Sequence, residues 1–300
     1  MATVVTTRDA TPSGGPTARR RVLPRRPQWW TILWRNTKAR FGLILLAFFV
    51  LVALLAPFLA PYDPHFTGFG HGLQPSAEHW FGTTGQGEDV LSQAVWGART
   101  SLSIGLLAGI AATAIALLVG MTAGYLGGLT DEVLMFLTNL ALVIPALPLM
   151  MTLTSYGNGG SLMVILVIAV TGWAGAARLK RAQVITLRNR DYIEAARLAG
   201  DRTMRIIFRE IAPNMVSLIV FGFIGAVGGA VGAEAGLSFL GIGNLDSVSW
   251  GKMLNMASSD GALLSGGYLR LVVPGLLLSG LITALTFVNF GVDALSNPHL

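Results

Sequence analysis

Residues 41–60 read FGLILLAFFVLVALLAPFLA, twenty positions without a charge, and they decide the fold. At 1.5 Å per helical residue, about twenty apolar residues match a hydrocarbon core about 30 Å thick. Forty residues precede the run and no small-x-small cleavage site follows it, so it reads as a spanning helix and not as a signal peptide. Working outward, five further apolar runs lie at about 101–126, 133–153, 162–177, 215–235 and 271–290. The composition agrees, with 53% hydrophobic and 12% charged residues in 300 and a mean hydropathy of +0.62. Soluble domains carry about 25% charge. The chain therefore reads as an all-α, six-span membrane protein, and an ordinary soluble enzyme is excluded. A nucleic-acid module is excluded too: the net charge is +6, but the basic residues stand between apolar runs and not on one folded face. With no cysteine, there is no disulfide, thiolate metal site or Cys nucleophile.

Orientation follows from charge. Nine of the 21 Lys and Arg residues precede the first span, from Arg8 to Arg40, and nine more lie between Arg178 and Arg209. Both groups fall on the cytoplasmic side of an even number of spans only if the amino terminus is cytoplasmic, which places both termini inside. Residues 1–40 then form a basic cytoplasmic tail, in which Trp29, Trp30 and Trp34 among Arg35, Lys38 and Arg40 suit an interfacial helix. Residues 61–100 and 236–269 become extracytoplasmic segments, and 101–293 a five-helix core. Glycines four apart, at 105/109, 120/124, 225/229 and 228/232, predict close helix packing. Pro145 and Pro148 in span three predict a kink or partial unwinding, as at helices that line a translocation pathway.

The segment 178–214 is too long and too patterned for a plain linker. Tyr192, Ala195, Ala196 and Ala199 follow i, i+3, i+4, i+7 and predict one helical face. Gly200 offers a left-handed cap. Asp201 or Thr203 is placed to start a second short helix, on which Met204, Ile207, Phe208 and Ile211 share a face, and Pro213 closes it. Two short cytoplasmic amphipathic helices must bury these faces in the membrane surface or in a groove on a partner.

Glu194-Ala195-Ala196-x-x-x-Gly200, followed by Ile211-Ala212-Pro213, resembles the cytoplasmic loop motif of permease subunits in bacterial ATP-binding-cassette importers. Ala212 stands where that family usually has Leu. His79-Trp80-Phe81-Gly82-Thr83, Gly87 to Ser92 and Gly97 to Leu102 are similar to the stretch before span two of dipeptide, oligopeptide and nickel permeases. Glu88 and Thr84 depart from it, where Arg and Asp are usual. Glu234-Ala235-x-Leu237-Ser238-Phe239-Leu240-Gly241 and Ser249-Trp250-Gly251 resemble the outer segment after span five. The resemblance implies the second permease of a heterodimeric pair in the bacterial cell membrane, carrying peptides, with nickel or another small solute as the alternative. It implies that Glu194, Ala195, Ala196, Gly200, Ile207, Phe208 and Pro213 couple to the ATPase. The partners implied are two ATP-binding subunits, a second homologous permease and an extracytoplasmic substrate-binding protein. ATP and Mg would sit on the partner subunits, with no cofactor bound by this chain.

The remaining residues that look chemical are few. Glu194 has no paired acid or nucleophile. Glu234 closes an apolar span and joins Pro145 and Pro148 as a candidate pathway or gate residue. His65, His71 and His79 match no compact ligand spacing. No GxxxxGK[ST] occurs, so the energy for active transport comes from another subunit. An ion-coupled secondary transporter is the competing class, and beyond Glu234 and Asp293 the spans offer it no acid.

Overall fold

The computed structural model describes residues 36–156, 160–243 and 247–296, with side chains as far as Val292. Among the described residues no strand forms, and an isolated bridge pairs Thr83 with Asp89. The expected interfacial helix around the three tryptophans lies outside the described residues. Lys38 and Arg40 belong instead to the first spanning helix, α1 (Thr37–Leu54). It starts at Thr37 because the Asn36 side chain accepts from the amides of Lys38 and Ala39 at 3.0 and 3.2 Å.

The second helix, α2 (Val90–Leu126), has 37 residues and does not begin near 101 as the apolar run implies. Its start is set by Asp89, which accepts from the amide and the hydroxyl of Ser92 at 2.8 and 2.7 Å. The last stretch of the expected outer segment, 90–100, is thus the first three turns of a helix about 55 Å long. The third span breaks into α3 (Gly128–Val143) and α4 (Ala146–Tyr156), bent by 90°. Ile144 is extended, as the residue before a proline prefers, and Pro145 has no amide to continue α3. Pro148 falls in the first turn of α4, where no intrahelical donor is needed.

The fourth span is likewise a bent pair, α5 (Ser161–Gly172) and α6 (Ala174–Leu187), turning 45° at Trp173. α6 runs ten residues beyond the expected end of that span. α7 (Asp191–Leu198) follows. After it, Thr203–Arg205, a π turn over Ile206–Ile211 and a 3-10 turn over Ala212–Met215 lead without interruption into α8 (Val216–Phe239). The expected second short helix is therefore the start of span five. Pro213 does not close it: the 3-10 turn takes up its missing donor, and Thr203–Phe239 runs on as one membrane-length helix. α9 (Trp250–Ser259) is a short helix before α10 (Leu269–Ser296), the last span. Four unbroken helices and two bent pairs, each pair counted once, give six spans.

α2 is the centre of the bundle. A Cβ added at Gly105 or Gly109 would lie 2.3 and 2.7 Å from side-chain atoms of Val231 and Val227, so α2 and α8 touch there. At Gly120 and Gly124 it would lie 2.5 and 2.9 Å from the carbonyls of Ala177 and Arg181, so α2 and α6 touch there. Gly229 and Gly232 have nothing within 4 Å, which leaves that face of α8 without a neighbour in this chain. Gly42 presses on α10 at Ala284 and Val288, Lys38 lies over the Phe290 ring, and Gly222 faces Lys180. The start of α1, the end of α10 and the Arg-rich segment therefore share one end of the bundle, the basic end. Glu234, Trp250 and Arg270 mark the far end.

Candidate functional site

At the basic end, α7 and the start of span five form a helical hairpin. Its turn is a Schellman cap: the Gly200 amide donates to Arg197 O at 3.0 Å and the Asp201 amide to Ala196 O at 3.1 Å. Gly200 has φ +81°, the left-handed conformation that a side chain resists. The hairpin is held on the bundle by a buried cluster of Met121 (α2), Val184 (α6), Ile193 (α7), and Ile206, Ile207, Ile211 and Met215. Arg197 stacks on the Tyr125 ring at 5.1 Å, and Arg188 donates to Gly124 O at 2.9 Å. Arg181 grips Asp131 with both fork nitrogens, at 2.5 and 2.6 Å, and ties α6 to α3.

On α7 the face that the spacing predicts points away from the bundle, and on the second arm the predicted face splits. Tyr192, Ala195 and Ala199 are exposed, Ala196 is half-buried, and the inward anchor is Ile193, fully buried. Glu194 is exposed. On the second arm, Ile207 and Ile211 face inward while Met204 and Phe208 point out, and Pro213 is exposed. The π turn explains the split. Its i→i+5 bonding inserts a residue, so the inward set becomes 206, 207, 211 and 215. Ile207 thus faces the bundle and anchors the hairpin. Leu198, 84% exposed, is the largest apolar side chain at the turn and escaped the periodic reading. Ile193 and Leu198 are five residues apart and so point to opposite sides of α7. Side-chain size, not spacing, was the signal for both.

At the far end, Glu234 is buried between helices. Its carboxylate accepts from the hydroxyls of Ser238 at 2.8 Å and Ser101 at 3.2 Å, and also from Ser249. Three hydroxyls from α8, α2 and the cap of α9 thus converge on one acid. Beside it Trp250 donates its indole N–H to Ala94 O at 2.9 Å, over Gly97, where a Cβ would meet the ring at 2.8 Å. Gly251 lies as closely on Ala235. The arrangement clasps α9 to the spans. Nearby, His79 Nδ1 donates to Asp89 at 3.0 Å between the rings of Tyr62 and Phe69, while His71 is exposed on Gly85 O. Among the described residues, no three His, Asp or Glu side chains converge as metal ligands. Thr84 and Glu88, the two departures noted above, meet each other: Thr84 Oγ1 donates to Glu88 at 3.0 Å. Pro145 and Pro148 are exposed at the α3–α4 elbow.

Six spans with a helical hairpin braced on the basic end form a multi-pass membrane bundle. Residues 116–298 match the model of the binding-protein-dependent transport system inner membrane component, and the chain belongs to that family. Residues 27–75 match the N-terminal transmembrane domain of oligopeptide transport permease C. The chain is 34% identical over 275 residues to the dipeptide transport system permease protein DppC of Bacillus subtilis, covering 90% of this chain and 85% of the relative. The oligopeptide transport system permease protein OppC of the same organism is 34% identical over 239 residues, 76% of this chain and 77% of the relative. OppC of Mycobacterium bovis is 35% identical over 212 residues, 70% and 73% respectively.

Proposed function

We propose that this chain is one of two membrane-spanning subunits of an ATP-driven peptide importer, receiving its substrate from an extracytoplasmic binding protein. The observation that carries the coupling role is the hairpin's double face. Ile193, Ile206 and Ile207 lock it to α2 and α6, while Tyr192, Leu198, Met204 and Phe208 are exposed at the basic end. A rigid, apolar, charge-rimmed knob of this kind suits a groove on another protein. With the basic end cytoplasmic, as the charge distribution favours, the knob meets ATP-binding subunits. Their closure on ATP would move α2, α6 and α8 together, because one cluster joins them. Glu194, Ala195, Ala196 and Gly200 then act at the docking surface, and Ile207 acts behind it.

Hydrolysis belongs to the partner subunits, which hold ATP and Mg, and this chain serves without catalysis or cofactor of its own. The unpartnered face of α8 at Gly229 and Gly232 suits close approach by a second permease. The names of the dipeptide and oligopeptide relatives support peptides as the cargo. The deciding experiment is gentle purification of the tagged chain from native membranes, with every retained chain identified by mass spectrometry. A P-loop ATPase and a second permease are expected, and Gly200→Val should weaken retention of the ATPase while leaving membrane insertion intact. Recovery of the chain alone, even after crosslinking at position 196, would refute the proposal.

A further inference from the structure

Helices α1, α2, α8 and α10 form a ring, and between them runs a groove of about 460 Å³. Val227, Val231, Leu281 and Leu285 form its buried floor, on α8 and α10. Its mouth opens between α1 and α2, whose lining residues Val50, Leu54, Arg99, Ser103 and Leu106 are exposed. Every other lining side chain is apolar, so Arg99 is the one charge in the groove.

Arg99 has a defined depth. Residues 100–126 of α2 carry no charge, about 40 Å of helix against a hydrocarbon core of about 30 Å. Arg99 therefore stands at the membrane–water boundary of the far end. Trp96, one turn further out, lies against its guanidinium at 5.7 Å, and tryptophans favour that same boundary. No carboxylate pairs with Arg99 among the described residues. From Arg99 the groove descends past Ser103 to Leu106, about 10 Å along the helix into the hydrocarbon. On α8 the floor descends likewise from Val231 to Val227.

An unpaired guanidinium at headgroup depth, opening on an apolar slot that runs into the membrane, has the shape and polarity of one amphiphile. The geometry points to a bound glycerophospholipid, its phosphate held by Arg99 and one acyl chain lying in the groove between α1 and α2. A guanidinium fork pairs with phosphate oxygens in two parallel hydrogen bonds. The slot supplies the acyl chain with side-chain contacts and offers nothing polar beyond Ser103. A wholly apolar helix from a neighbouring protein would fit the slot but would leave Arg99 without an anion.

The test uses the transporter purified from native membranes in mild detergent. Native mass spectrometry should find a phospholipid retained on this subunit. Occupancy should fall about tenfold in Arg99→Ala and be retained in Arg99→Lys. Leu106→Trp, which fills the slot from an exposed wall, should also empty it with Arg99 intact. A photoreactive residue at position 103 in an otherwise unchanged chain should capture a lipid-sized mass. Equal occupancy in Arg99→Ala and Leu106→Trp would overturn the assignment. So would a position-103 crosslink to a protein chain, which would show that a neighbouring permease fills the groove.

Discussion

Ile193 and Leu198 separate the two duties of the hairpin. Ile193→Ala removes three buried carbons, worth about 2.4 kcal/mol of transfer free energy, and leaves a cavity among Ile206, Ile211 and Val184. The sum is about 3 kcal/mol, on the order of a hundredfold in the equilibrium between seated and detached hairpin. Leu198, 84% exposed, contributes almost nothing to that equilibrium. Its truncation should change stability by less than about 0.5 kcal/mol. If docking buries Leu198, the same truncation should weaken ATPase binding by about tenfold to a hundredfold. Hydrogen exchange over residues 191–211 reads the first quantity, and recovery of the ATPase with the tagged permease reads the second. Ile193→Ala should speed exchange on the order of a hundredfold, and Leu198→Ala should leave it unchanged while losing the ATPase. Faster exchange in Leu198→Ala, or unaltered exchange in Ile193→Ala, would refute the assignment of inner and outer faces.

Gly120→Ala puts a methyl 2.5 Å from the Ala177 carbonyl and should destabilise the chain by about 1–3 kcal/mol. Gly229→Ala meets nothing within 4 Å, so thermal unfolding of the isolated chain should not register it, while recovery of a second permease should fall if that face is the contact. Glu234→Ala leaves three serine hydroxyls without their acceptor and should cost about 1–3 kcal/mol, seen as faster hydrogen exchange over 249–259. Glu234→Gln, which keeps an acceptor oxygen, should cost less. A cysteine placed at position 10, in a chain that has none, should resist an impermeant maleimide added to intact cells, and labelling from outside would reverse the topology.

Some of the site was legible before any coordinates. Gly200 was readable as a left-handed cap because few other residues tolerate that φ, and the Schellman bonds form at that position. Pro145 was readable as a break because it has no amide, though the 90° turn was not. On α7 the spacing of Tyr192, Ala195, Ala196 and Ala199 marks the face left open to a partner, while the inward anchor, Ile193, stands outside that pattern. Ile193 outweighs them and turns inward. On the second arm, a straight α-helical projection could not anticipate a π turn, which arises where Pro213 disturbs the ladder of a helix that must continue.

What the sequence by itself determined was the number of spans, the concentration of charge in two segments, the helix breaks and the turn at Gly200. Each depends on local chemistry: apolar length against the bilayer, missing amides, backbone freedom. Only the tertiary structure decided which glycines are packed and which are bare, that Glu234 gathers hydroxyls from three helices, and that Arg99 opens on an apolar groove. Those facts depend on rotation of one helix about its axis relative to another. That rotation is set by contacts between residues more than a hundred positions apart, such as Ser101 with Glu234 and Ala94 with Trp250, and helix periodicity carries no record of it.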